Sequence, residues 1–374
     1  MRPSLFRVFV ATLVLTNASV LFAQTQPDGP LPKRHRDELV FVANQSANTV
    51  SAYQIKSNGG LLPVPGSPFP AGGAPNSIAV VPSGRFAYVA DVIPGAITAF
   101  SVAHNGALTP LPGSPFSAPT GTASLTIDPS GRFLYALNCG ANCSGTGNGN
   151  INSYAIDEHT GNLTPIGSPV NAGQYPYSLA VEPAGQFAYV ASAGSGEVFS
   201  FAIDSHTGVL TQIGSPIASG NRPIFIVVEP WGQYVYAANT GSNNISGFSI
   251  NFDGSLSFIA GSPFAASDFT AAIAASRNGN FLIAPTGPGC FVYDVTDSGA
   301  LITVPGSPFT GGGLPNDVAI NTTDGFAYAV NRSSNDVSAY RFNDKKGSLI
   351  PVAGSPFPAG SFAAAITSAP APTR

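Results

Sequence analysis

The sequence predicts an all-β fold, a seven-bladed β-propeller with four antiparallel strands per blade, on three observations. Gly-Ser-Pro recurs at Gly66, Gly113, Gly167, Gly214, Gly261, Gly306 and Gly354, at intervals of 47, 54, 47, 47, 45 and 48 residues, at or near the periods of propeller and solenoid repeats. The intervening segments are short apolar or alternating runs, punctuated by many of the 42 glycines and 34 prolines in the 374 residues, as strands joined by tight turns require. The first repeat opens at its second strand, residues 39–43, whereas the chain finishes on a first strand without a sequel, residues 363–369. Pairing those two ends closes a ring and leaves no open edge to the array.

Before the repeats, residues 1–23 carry Arg2 and Arg7, the apolar run 8–15 and a second patch at 20–22, ending in Ala23. This reads as a secretory signal peptide cleaved after Ala23. Neither patch, nor any later stretch, is long enough to span a bilayer, so the expectation is an exported protein, periplasmic or extracellular, without a membrane span. Residues 24–37 are polar and proline-rich and read as a linker. The propeller should occupy 38–369, with a tail at 370–374.

Within a repeat, the second unit shows the plan: residues 77–81, 86–90, 97–102 and 108–111 are strand-length and bounded by turns. The first turn is Pro82-Ser83-Gly84-Arg85, repeated at Pro129, Pro183 and Pro230, with Pro fixing φ and Gly supplying the left-handed position. From each Gly of Gly-Ser-Pro to the residue entering the next first strand is nine positions in all seven repeats, reaching Pro75, Thr122, Pro176, Pro223, Thr270, Pro315 and Ala363. Length variation collects elsewhere, chiefly at residues 139–150 of the third repeat, as insertions do in loops.

The run from Asn76 to Ala90, with Phe326-Ala327-Tyr328-Ala329-Val330-Asn331 and the Gly-Ser-Pro-Phe strand ends, resembles the YVTN-type propeller repeat. The whole unit is similar to the seven-bladed lactonase family, which includes 6-phosphogluconolactonase and the carboxymuconate cyclases. That resemblance covers residues 38–369. It implies hydrolysis of a lactone, no cofactor, and a channel mouth presenting His just after the Pro that enters the first strand and Glu just after the second strand. Here those positions hold Asn76, Ala123, Tyr177, Ile224, Ala271, Asn316 and Ala364, and Gln45, Val92, Cys139, Ala193, Thr240, Thr286 and Arg332.

Propeller topology puts the Gly-Ser-Pro loops on one face, where a channel mouth is the natural ligand site. The candidates there are Arg222, to hold an acid group or a developing oxyanion, and Asp268 or Asp317, to direct water as a general base. Asn76, Tyr175, Tyr177, Phe225, Phe269, Asn316 and Arg332 form a candidate ligand-binding set, and pairing of Arg222 and the two aspartates with loop backbone is the other reading. His104, His159 and His206 lie in turns of the opposite face, and Asp128, Glu182 and Glu229 precede turns there, which suits turn hydrogen bonding. A net charge of −4, with 9% of residues charged, offers no footprint for a phosphate backbone and argues against nucleic acid. Cys139 and Cys143 are placed for a local disulfide in an oxidising compartment, Cys290 reads as a small buried residue, and three cysteines so dispersed predict no metal site. The expectation is a monomer acting on a sugar-derived or related lactone, or else a non-catalytic propeller binding carbohydrate, peptide or protein.

Overall fold

The computed structural model describes residues 37–140, 143, 147–267, 269–323 and 325–373. The expected signal peptide and all but the last residue of the linker lie outside the described residues, as does Asp268. Seven antiparallel sheets follow one another along the chain. In the second blade the strands are Pro75–Val80, Phe86–Asp91, Ala96–Val102 and Leu108–Pro110, innermost to outermost. The ring closes as expected, because Ala363–Pro370 pairs antiparallel with Glu38–Asn44, from Glu38↔Pro370 to Asn44↔Ala363, and becomes the innermost strand of the first blade.

The core is a set of seven wedges, each filled by side chains of two adjacent blades. Second strands are apolar on both faces, Phe86–Asp91 and Phe133–Asn138 being buried throughout, because a middle strand of one blade packs against blades on either side. In five blades a fully buried tyrosine of this strand donates to a glycine carbonyl in the next blade: Tyr88 to Gly161 (2.7 Å), Tyr135 to Gly208 (3.1 Å), Tyr189 to Gly254 (3.1 Å), Tyr236 to Gly299 (2.8 Å) and Tyr328 to Gly59 (3.0 Å). Tyr236→Phe would strand a buried carbonyl, so urea unfolding should show a loss of about 1–3 kcal/mol. Blades 1 and 6, with Phe41 and Ile283 at that position, lack the latch; an equivalent aromatic change such as Phe41→Leu should be felt through packing alone.

The Gly-Ser-Pro motif splits into two structural classes that its sequence recurrence conceals. Where Phe follows, the Ser hydroxyl accepts a third-strand amide, as in Ala52 N–H to Ser67 (2.9 Å) and Ala99 N–H to Ser114 (2.9 Å), and the Ser-Pro peptide is cis. Ser262, Ser307 and Ser355 repeat the arrangement. The motifs at Gly167 and Gly214 are followed by Val170 and Ile217 and show neither feature; in blade 3 the outer strand runs unbroken over Leu163–Gln174. The Phe ring folds back beneath the motif's own glycine, Phe69 lying 3.4 Å from where a Gly66 Cβ would stand, a contact that Val or Ile is too short to make.

Candidate functional site

Innermost strands of all seven blades surround a central cavity of about 380 Å³. In six of them the pairing with the second strand slips by one residue at the mouth end, leaving Asn76, Ala123, Tyr177, Ile224, Asn316 and Ala364 as the extra residue. A bulge re-aims the side chain it frees, and all six, together with Ala271 at the seventh position, line the cavity. Immediately before the first residue of six innermost strands, and at the equivalent repeat position Phe269 of blade 6, the backbone is left-handed, at Ala74, Gly121, Tyr175, Arg222, Phe269, Leu314 and Phe362, with φ between 46° and 89°. Six of these are not glycine, a conformation costing about 1–2 kcal/mol each, and such outliers collect where a structure must present side chains. The sequence places Tyr175, Arg222 and Phe269 at the mouth but does not single out Leu314, which is half exposed; its shared repeat position was the available signal.

Tyr177 organises the mouth. It belongs to blade 4, lines the cavity beside Asn76 of blade 2, and its hydroxyl feels the charges of Arg222, at the entry to blade 5, and Arg332 of blade 7. Tyr175 packs edge-on against the Tyr177 ring, centroids 5.8 Å apart. Asn76 is itself fixed, accepting from Gln45 Nε2 at 3.1 Å and donating to the Ala123 carbonyl at 2.9 Å, and Arg332 sits 3.6 Å above the Phe362 ring. Burial pushes the Tyr177 phenol above its ordinary range, against the pull of the two guanidinium groups, and lowers the pKa of Arg332. Gln45 was not among the expected site residues, although it occupies the position after a second strand.

Asp317 stands in the cavity wall, with Oδ1 accepting the Val318 amide at 2.8 Å and Oδ2 accepting the Ile366 amide of blade 1 at 3.0 Å. Burial pushes its carboxyl up to about 7, and the two amides offset only part of that. Asn316 beside it donates to the Ala364 carbonyl at 2.7 Å. The structure thus places Asn76, Tyr177 and Asp317 in the cavity wall, Asp317 on backbone amides, while Arg222 and Arg332 stand outside that wall and act on Tyr177 through their charge. Phe225 lines the cavity while also packing into the wedges on both sides of blade 6, so its ring serves the core as well as the channel. Phe269 is half exposed at the rim.

On the opposite face, Asp128, Glu182 and Glu229 are buried and accept turn amides, Glu182 those of Ala184, Gln186 and Phe187. His159 and His206 are exposed there, and His104 bonds the Pro372 carbonyl at 2.8 Å. Cys139 and Cys143 are joined as a disulfide. Cys290 is buried and its thiol is pushed up to about 12 by burial, which suits packing rather than nucleophilic attack. Among the described residues no three His, Cys, Asp or Glu side chains group to hold a metal ion, and no helix is long and apolar enough to cross a membrane.

Asp91 is the one carboxylate among the buried polar residues that end the second strands, where other blades place Asn44, Asn138, Ser192, Asn239, Thr286 and Asn331. Oδ2 accepts the Thr98 hydroxyl at 2.6 Å, Oδ1 is buried without a partner, and burial pushes the carboxyl up to about 6. A carboxyl whose folded pKa lies above its unfolded 3.8 stabilises when protonated, so this contribution grows as pH falls from about 6 and is lost as pH rises through that value. Asn44 shows the neutral alternative, donating to Thr49 and Ser51 at 3.0 and 2.9 Å. Asp91→Asn should therefore raise stability at pH 8 by about 1–3 kcal/mol and leave it unchanged near pH 4, as thermal melts at both pH values would report.

A profile of the family described as Lactonase, 7-bladed beta-propeller, matches residues 35–227 and 259–362. The chain superposes on a candidate 6-phosphogluconolactonase from Bacteroides uniformis at 16% identity, with a TM-score of 0.75, covering 89% of this chain and 99% of the other. It superposes on the periplasmic gluconolactonase PpgL of Pseudomonas aeruginosa at 17% identity, with a TM-score of 0.71, covering 90% and 99%. A functionally unknown protein from Desulfotomaculum acetoxidans gives 17% identity and a TM-score of 0.69 over 86% and 97%. At these identities the likeness is one of fold. No curated protein matches the chain.

Proposed function

The chain belongs to the seven-bladed β-propeller lactonase family, and from that membership we propose that it hydrolyses a sugar-derived or related lactone at the mouth of its central channel. The observation that carries the reading is Asp317: a carboxyl in the cavity wall whose pKa is brought to about 7, the range a general base needs to work near neutrality. In this reading ionised Asp317 takes a proton from water as the water oxygen adds to the lactone carbonyl. The resulting oxyanion is stabilised by the Tyr177 hydroxyl and the positive potential of Arg222 and Arg332. The ring C–O bond then breaks, the leaving oxygen takes back the proton from Asp317, and the product is the open hydroxy acid. Asp268 is the other candidate for directing water.

We also read residues 1–23 as an export signal. An exported enzyme favours an unphosphorylated lactone, since phosphosugars are cytoplasmic, and PpgL is by its description a periplasmic gluconolactonase. The test is base uptake in a pH-stat, because each ring opening releases an acid: the purified protein should open at least one aldonolactone, glucono-δ-lactone first, faster than buffer. No acceleration with any member of a lactone panel would defeat the proposal.

A second reading is favoured by the ring of equivalent residues around the cavity, four of whose seven positions are the aliphatic Ala123, Ile224, Ala271 and Ala364. In it the mouth binds a carbohydrate or peptide through Tyr175, Tyr177 and Phe269 without chemistry. Ligand binding that depends on Tyr177 but not on Asp317 would favour this reading.

A further inference from the structure

We propose a second ligand site, for a neutral saccharide, on the face opposite the channel mouth, in the groove between blades 4 and 5. The groove encloses about 500 Å³ and runs between the first turn of blade 4, with Pro183, Gln186 and Phe187, and the two turns of blade 5 that carry Trp231 and Phe252. That volume falls within the range of small-ligand sites.

Internal repetition makes the two aromatics conspicuous. Trp231 occupies a turn position held by Ser83, Ser130, Ala184 and Asn278 in other blades, and Phe252 one held by Ser57, His104 and Asp297. Both departures fall in one blade, on one face, beside one groove. Both also lie within 228–258, the internal stretch that the family match leaves out, so the family pattern is no guide to them. Neither ring serves the core, Trp231 being 70% exposed and Phe252 wholly so. Trp231 is nonetheless held in place: its indole N–H donates to the Asn278 carbonyl at 3.0 Å, and the ring edge lies against Gly279, where a Cβ would come within 2.5 Å. A fixed aromatic face binds without the entropy cost of ordering it.

The chemistry of the walls selects the ligand. Among the described residues no cation lines the groove, and its carboxylate, Glu182, already accepts three backbone amides. An ionic ligand would find no counter-charge there. Two aromatic faces, electron-rich at the ring centre, suit the C–H face of a sugar ring, while the exposed amide of Gln186 and the rim of turn backbone suit its hydroxyl groups.

Trp231 is the only tryptophan in the chain, so its emission reports on this groove alone. Titration of the full protein with cellohexaose, xylohexaose, chitohexaose and maltohexaose should, for at least one, shift that emission to shorter wavelength and reduce acrylamide quenching. Phe252→Ala, at a fully exposed turn position, should keep the melting temperature and weaken that binding about tenfold. Asp317→Asn should leave it unchanged, which separates this site from the channel. Three outcomes overturn the proposal: no emission change with any of the four at millimolar concentration, a change that Phe252→Ala leaves intact, or a response to peptides and not to sugars.

Discussion

Deletion of residues 363–374 is expected to abolish cooperative folding of the propeller. The strand removed pairs with Glu38–Asn44 over seven residue pairs, and Leu39, Val40, Phe41, Val42 and Ala43 of that strand are at most 1% exposed. Uncovering them opens the ring and creates an apolar strand edge, the surface that templates aggregation. The loss of a complete innermost strand, with its wedge packing and cross-blade bonds such as Ser368 to the Ile320 carbonyl at 2.8 Å, compares with the whole stability of an ordinary domain, about 5–15 kcal/mol. Size-exclusion chromatography and circular dichroism melts should show aggregate and no sharp transition. A synthetic peptide of residues 361–374 supplied during refolding should restore both the elution position of the full chain and the transition. A truncated protein that melts within a few degrees of the full chain would mean that ring closure carries little of the stability.

That closure was legible from the chain because a propeller repeat is counted along the sequence. The orphan strand at the end and the missing first strand at the start are facts of register, and the expected span 77–81 matches Pro75–Val80 to within two residues at the start and one at the end. Face assignment was legible for the same reason, since turn order alternates between the two ends of a blade; it removed the histidines from the mouth. Direction was not legible. Repeat alignment placed Tyr177 next to Pro176 but could not show that a bulge frees it to line the cavity. Nor could it show that Asp317 accepts an amide from the last strand. Both depend on register slips of one residue and on contacts between segments far apart in sequence. The Gly-Ser-Pro copies misled in the opposite sense, looking alike while a following Phe or aliphatic residue divides them into two geometries.

Asp317→Asn is expected to remove most lactone hydrolysis while making the fold more stable, and the pair of effects matters more than either alone. Loss of a general base costs about 10²–10⁴ in rate. With the base titrating at about 7, kcat/KM of the parent protein should rise with pH through that value and level off above it, because only the ionised carboxylate accepts the proton. The variant should lose this limb. Stability runs the other way. The folded pKa lies above the unfolded 3.8, so Asp317 stabilises fully only below that value, and its contribution is lost as pH rises through about 7. A neutral amide escapes this loss, and its side-chain oxygen can still accept one of the two amides, from Val318 or Ile366. Thermal melts at pH 8 should therefore place the variant above the parent protein. A carboxyl that costs the fold stability and stands in a cavity wall is a candidate for chemistry. If the variant instead melts lower at pH 8 and keeps its rate, Asp317 is a structural tie between blades 7 and 1, and the base must be sought elsewhere on the rim.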